Sequence, residues 1–138
     1  MTEPIRKPLP LAGLLGFEVL VDAAETQASC VLKVGEIHLN RHGVLHGGII
    51  STLLDTASGV TASMTVDDRG LTPFTTVSLN INFLAPVSAG EIRATGRVTG
   101  GGRSLTFVEA ELTGPEGVKV ATSTGVFKRV RKPAEASQ

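Results

Sequence analysis

Alternation of apolar and polar side chains divides the chain into strands around a single helical stretch. Phe17, Val19 and Val21 alternate as one strand, and Ala28, Cys30, Leu32 and Val34 as another. A turn at residues 22–25 joins them as a hairpin. Residues 75–84 give the clearest strand, with Val77, Leu79, Ile81 and Phe83 set against Thr76, Ser78, Asn80 and Asn82, closed by Pro86 and Gly90. Ile92, Ala94, Gly96 and Val98 alternate next, ahead of the glycine triplet at 100–102. Over residues 104–113 the phase shifts between Leu105/Phe107 and Val108/Ala110/Leu112, which predicts a bulge near Phe107. A turn at 114–117 leads into a last long strand at 118–130.

Residues 40–64 contain the only helical period. Ile49, Ile50, Leu53, Leu54, Ala57, Val60, Thr61 and Met64 recur at spacings of one, three and four, which at about 100° per residue places them on one face. That face is expected to lie on the sheet. Ser51, Asp55, Ser58, Gly59 and Ala62 occupy the opposite face, and they are too small and too weakly polar for a solvated helix back. A second packing partner is therefore expected there. The order of two strands, one long helix and four antiparallel strands predicts an α+β fold, a curved antiparallel sheet wrapped around one central helix. The whole chain, 1–138, reads as a single domain. Residues 1–13 read as an irregular arm with a helical turn at 11–15 ending at Gly16, residues 128–132 as a solvated basic strand end, and 131–138 as a disordered tail.

Composition narrows the function classes. Thirteen basic and thirteen acidic residues give a formal charge of zero, so no global field recruits nucleic acid or anionic lipid. The chain has no Trp or Tyr and only five Phe, which argues against a base-stacking surface. No run approaches the roughly 20 apolar residues of a membrane span, and no leader pattern is visible, so the expected setting is soluble and cytoplasmic. The single Cys30 excludes an internal disulfide and reads as a small buried hydrophobe. At 138 residues the chain is small for an enzyme cleft of its own, and a second copy would supply more surface.

Asp55 is the only charge between Arg41 and Asp67. A carboxylate inside such a run must be hydrogen-bonded, paired or shifted in pKa, and each of these marks a candidate site. His38, His42 and His46 recur every four residues as metal ligands on a helix would, but Leu39, Gly43, Val44 and Leu45 make that stretch a poor helix. No metal is expected.

Asn40, Gly43, His46, Gly47, Gly48, and Asp55 nine residues after His46, form a pattern that resembles the hotdog-fold acyl-CoA thioesterases, PaaI-like and of the phenylacetyl-CoA or 4-hydroxybenzoyl-CoA type. Residues 79–86 (Leu-Asn-Ile-Asn-Phe-Leu-Ala-Pro), Gly90, the Gly102-Arg103 turn and residues 121–125 (Ala-Thr-Ser-Thr-Gly) extend the resemblance over about residues 14–129. It implies a homodimer with sheets joined edge to edge, paired again as a homotetramer, with sites at the dimer interface. In this family the N–H at the position of Gly47 holds the thioester oxygen, and the carboxylate at Asp55 acts as nucleophile or general base. Residues matching Asn40, His46 and Thr76 orient the thioester or the water. The substrate implied is an aryl- or medium-chain acyl-CoA, with no cofactor beyond the coenzyme A that the substrate carries.

Physical chemistry supports these roles. A helix beginning at Gly47 and Gly48 presents free N–H groups and a positive dipole end to an oxygen gaining charge. Asp55 lies eight residues further on, about 12 Å along the axis at 1.5 Å per residue, whereas donor and base must both reach one thioester. The two groups are thus expected from different subunits of a two-fold dimer. Coenzyme A phosphates need placed cations, for which Arg103 behind its glycines, with Ser104 beside it, is the best candidate; Arg41 and residues 128–131 are alternatives. Two other readings compete: an acyl-thioester dehydratase or hydratase on the same fold, which pairs His and acid in different motifs, and a noncatalytic acyl-CoA sensor, against which an intact Asp55 argues.

Overall fold

A computed structural model describes residues 1–131. The strands are β1 (Glu3–Pro4), β2 (Glu18–Asp22), β3 (Gln27–Val34), β4 (Phe74–Phe83), β5 (Gly90–Gly101), β6 (Leu105–Thr113) and β7 (Lys119–Arg129). The helices are α1 (Pro10–Leu15) and α2 (Gly47–Ser63). All strands join one antiparallel sheet in the order β1-β2-β3-β5-β6-β7-β4. The sheet curls around α2, which packs on β3, β4, β5, β6 and β7. This is the α+β arrangement expected from the pattern. None of the helices among the described residues is long and apolar enough to cross a membrane.

Buried Ile50, Leu53, Leu54 and Ala57 anchor α2 against Leu32, Ile92, Ala94, Leu112 and Val120 in the principal core. Each fully buried leucine contributes roughly 1.5–3 kcal/mol. The buried face is rotated from the expected one. Ser58 and Ala62, expected on the back of the helix, are fully buried, while Ile49 and Val60 are only half-buried. A sheet that curls over five strands covers a wide arc of helix, and small side chains permit the closest approach: Ala62 packs with Val108 and Phe127. Gly96 on β5 shows how close that approach is, since a Cβ there would sit 2.5 Å from Thr61 Oγ1 and 3.0 Å from the Ala57 carbonyl oxygen. At the same place Thr61 Oγ1 accepts a hydrogen bond of 3.0 Å from the Ala28 N–H of β3.

Two expectations need correction. The arm over residues 1–13 is not wholly irregular: Glu3 and Pro4 pair with Val21 and Leu20, and the Ile5 N–H donates to the Val19 carbonyl at 2.9 Å. The bulge expected near Phe107 lies opposite it, on β5, where Thr99 is the extra residue between Val98 paired with Val108 and Gly100 paired with Phe107. Strand β6 itself keeps a clean alternation, with Thr106 buried and Leu105 and Phe107 exposed on the outer face. The helix begins at Gly47, as the His-Gly-Gly start implied, and residues 40–46 form a turn before it. Most of the tail at 131–138 lies outside the described residues.

Cys30 is fully buried, and burial pushes its thiol up to about 12, so it stays neutral and packs as a hydrophobe. The Ser58 hydroxyl, also fully buried, has no hydrogen-bond partner among the described residues.

Thr61→Val keeps the shape of the side chain but orphans the buried Ala28 N–H. It is expected to destabilise the fold by about 1–3 kcal/mol in equilibrium denaturant unfolding. An unchanged midpoint would show that this bond does not tie α2 to β3.

Candidate active site

Residues 39–46 turn back on themselves before α2 starts. Asn40 Oδ1 accepts from the N–H groups of His42 (2.9 Å) and Val44 (3.3 Å), and the Asn40 N–H donates to the Val44 carbonyl at 2.8 Å. The side-chain oxygen of Asn40 is thus engaged in the turn that delivers His46 to the helix. His46 is the N-cap, its Nδ1 accepting from the Gly48 N–H at 2.7 Å. A neutral ring that accepts at Nδ1 carries its proton on Nε2. Gly48, expected to offer a free N–H, instead gives it to His46, and a Cβ at Gly48 would lie 2.9 Å from that ring nitrogen. The Gly47 N–H has no acceptor among the described residues. It borders a pocket of about 290 Å³ lined by Leu45, Ile50, Phe83 and residues 84–87.

Asp55 stands half-buried two turns further along α2. Thr76 Oγ1 donates to Asp55 Oδ1 at 2.7 Å. A strict two-residue period puts Thr76 on the opposite face of β4 from Leu79 and Ile81. The pairing of β4 with β7 slips between Thr76 and Ser78, leaving Val77 as the extra residue. That bulge flips the phase, so Thr76 faces the helix on the same side as Leu79 and Ile81, which pack on the core. Val77 is left 56% exposed.

Asp55 and Thr76 border a cleft of about 430 Å³. The helix supplies Thr56, Gly59, Val60 and Ser63, the segment before β4 supplies residues 70–73, the arm supplies Ile5 and Leu9, and Phe74 of β4 and Phe127 of β7 also line it. The Gly47 pocket shares none of these residues. A groove of about 530 Å³ on the outer face of the sheet offers less chemistry, because its charges are matched within it, Arg97 with Glu109 and Lys119 with Glu111.

One carboxylate organises the cleft wall. Asp67 accepts from the N–H groups of Arg69 (2.8 Å), Leu71 (2.9 Å) and Thr72 (2.8 Å) and from the Thr72 hydroxyl (3.0 Å). Burial alone raises its pKa, but these donors outweigh burial and hold it below the ordinary value of 3.8. The Ser63 hydroxyl then donates to the Thr72 carbonyl at 2.6 Å, joining this wall to the helix.

The structure therefore brings together Asp55 and Thr76, and separately His46, Gly47 and Gly48, with Asn40 in the preceding turn. Arg103 and Ser104 are exposed in the β5–β6 turn. The Arg129 N–H donates to the Ser104 carbonyl at 2.8 Å, and Arg129 pairs with Phe74 of β4, so this turn lies at the Thr76 end of the sheet. The three histidines do not converge. His38 is buried, with Nδ1 accepting from the Gly35 N–H and Nε2 bonded to the Leu15 carbonyl. No local pattern marked Ile5, Leu9, Phe74 and Phe127 as cleft residues, since they come from three separate segments, the arm, β4 and β7.

A single helix clasped by an antiparallel sheet, with a carboxylate on its exposed side, defines the hotdog class of α+β proteins. Residues 42–121 match the thioesterase superfamily. Human acyl-coenzyme A thioesterase 13 is 39% identical over 101 residues, 72% of this chain and 70% of that protein. A Bacillus halodurans protein solved with CoA superposes with a TM-score of 0.82 at 29% identity, over 93% of this chain and 83% of that one. A phenylacetic acid degradation-related protein from Ralstonia eutropha superposes with a TM-score of 0.76 at 30% identity, over 88% and 92%. The chain belongs to the thioesterase superfamily and, within it, to the hotdog-fold, PaaI-like acyl-CoA thioesterases.

Because the folded pKa of Asp67 is lowered, the stability it contributes is fully present above 3.8 and is lost as pH falls through the lower folded value. Asp67→Asn is expected to cost about 1–3 kcal/mol near neutral pH and to flatten the acid limb of a melting-temperature profile. A wild-type acid limb retained in the variant would contradict this role.

Proposed function

We propose that this enzyme hydrolyses an aryl- or medium-chain acyl-CoA to the free acid and coenzyme A at a site shared by two copies of the chain. The observation that carries this reading is the separation of the two chemical groups. The unpaired Gly47 N–H borders one pocket, and the Asp55–Thr76 pair borders another. A two-fold dimer would bring the Gly47 end of one helix to the Asp55 side of its partner, twice over. Strand β4 is one of the two edges of the sheet among the described residues, far longer than β1 at the other, and carries exposed Val77 and Phe83, which favours edge-to-edge pairing with a second β4. A further pairing into a homotetramer fits the same resemblance.

In this mechanism the Gly47 N–H and the positive end of α2 stabilise the oxyanion formed when the thioester carbonyl is attacked, with His46 Nε2–H beside them to orient the substrate. Asp55 of the other subunit takes the proton of the attacking water, or attacks directly to give a mixed anhydride that water then hydrolyses to the free acid. Thr76 holds one carboxylate oxygen and leaves the other to react. The thiolate of coenzyme A departs as the carbonyl re-forms. The acyl group occupies the apolar cleft beyond Asp55. Arg103, with Lys128, Arg129 and Arg131 nearby on the same sheet end, supplies cations for the coenzyme A phosphates. The CoA present in the Bacillus halodurans neighbour supports that carrier.

Thiol release from phenylacetyl-, benzoyl-, hexanoyl- and lauroyl-CoA tests the reading. Wild type is expected to hydrolyse at least one of them, and Asp55→Asn to lower kcat/KM by about 100-fold or more. A folded protein that binds coenzyme A but hydrolyses none would contradict it and favour a sensor.

A further inference from the structure

Gly59 lies on the cleft side of α2, four residues past Asp55 and therefore about 6 Å further along the axis. Glycine is the poorest helix former short of proline, so its place in the middle of a 17-residue helix calls for a reason. Neither backbone nor packing supplies one. Gly59 is within the regular helix, and a Cβ added there would meet only the Phe127 ring, at 3.9 Å, which is ordinary contact. Gly96, by contrast, has no room for one. The missing side chain leaves space in the cleft, which Phe74 and Phe127 also line.

We propose that Gly59 is the residue that sets the permitted width of the acyl group. The inference rests on the reading that the cleft beside Asp55 receives that group. The cleft follows the helix from Asp55 to Ser63, eight residues and about 12 Å, and the Ser63–Thr72 hydrogen bond of 2.6 Å crosses from helix to wall at its far end. A slender chain can lie along this length without using the space at Gly59. A ring or branch that reaches Gly59, about 6 Å along the helix from Asp55, requires it, in a cleft whose lining includes Phe74 and Phe127. The glycine thus exchanges helix stability for substrate width.

Steady-state kinetics of wild type and Gly59→Ala with phenylacetyl-CoA and hexanoyl-CoA, together with thermal melting and size-exclusion chromatography, tests this. The ratio of phenylacetyl to hexanoyl kcat/KM is expected to fall at least about tenfold, since one methyl-sized change in an apolar pocket is worth about that much. The melting temperature is expected to rise by about 2–4 °C. Gly59→Leu should depress the ratio further. An unchanged ratio, a lower melting temperature in Gly59→Ala, or loss of the wild-type oligomer would each overturn the proposal, by showing that the glycine serves no substrate or serves packing. Absence of hydrolysis in the wild type would instead overturn the reading of the cleft on which it rests.

Discussion

The rise of an α-helix is fixed, and eight residues of it separate Gly47 from Asp55 by about 12 Å. The arrangement of this molecule follows from that distance. The N–H at Gly47 owes its freedom to its place in the first turn, where helical geometry provides no acceptor. Asp55 owes its partly open setting to the side of the helix that the curled sheet leaves uncovered. Neither group can move toward the other without unwinding the helix that fills the core. Two such helices related by a two-fold axis would resolve the conflict, and β4 at the edge of the sheet would be a surface open to that association.

Asp55 is shaped by an irregularity rather than by regular structure. Without the extra residue Val77, β4 would present Thr76 outward and leave the carboxylate without its hydroxyl partner. A second irregular segment, the loop gathered around Asp67, shapes the cleft wall. Both belong to the connection that leaves α2 and returns as β4. Regular structure carries Asp55 in the middle of α2, while this connection and the first turn of α2 supply its hydroxyl partner, the cleft wall and the free N–H.

This division explains what could be read in advance. Strands with a period of two and a helix with a period of 3.6 were visible because burial selects side chains residue by residue. The motif running from Asn40 to Asp55 was visible because its members sit on one short stretch of chain. The helix orientation was less legible: the small size of Ser58 and Ala62 pointed to a second packing partner on the back of the helix, whereas the curled sheet itself covers them at its nearest approach. Bulges at Val77 and Thr99 left no compositional trace, since either depends on how two distant strands align. For the same reason the cleft residues Ile5, Leu9 and Phe127 carried no local signal. The engagement of Gly48 by His46 depended on a ring orientation that no spacing encodes.

The shared site is tested most directly by subunit complementation. Proline is tolerated at the first helical position, and His46 already has the extended backbone that a following proline needs, with φ −65° and ψ 135°. Gly47→Pro therefore removes the N–H while keeping the helix. Neither Gly47→Pro nor Asp55→Asn alone should be active. Co-expressed in equal amounts, they should form mixed dimers with one intact site each, restoring about a quarter of wild-type activity per subunit. If every mixture containing demonstrated heterodimers remains as inactive as its parents, Gly47 and Asp55 do not act across the subunits.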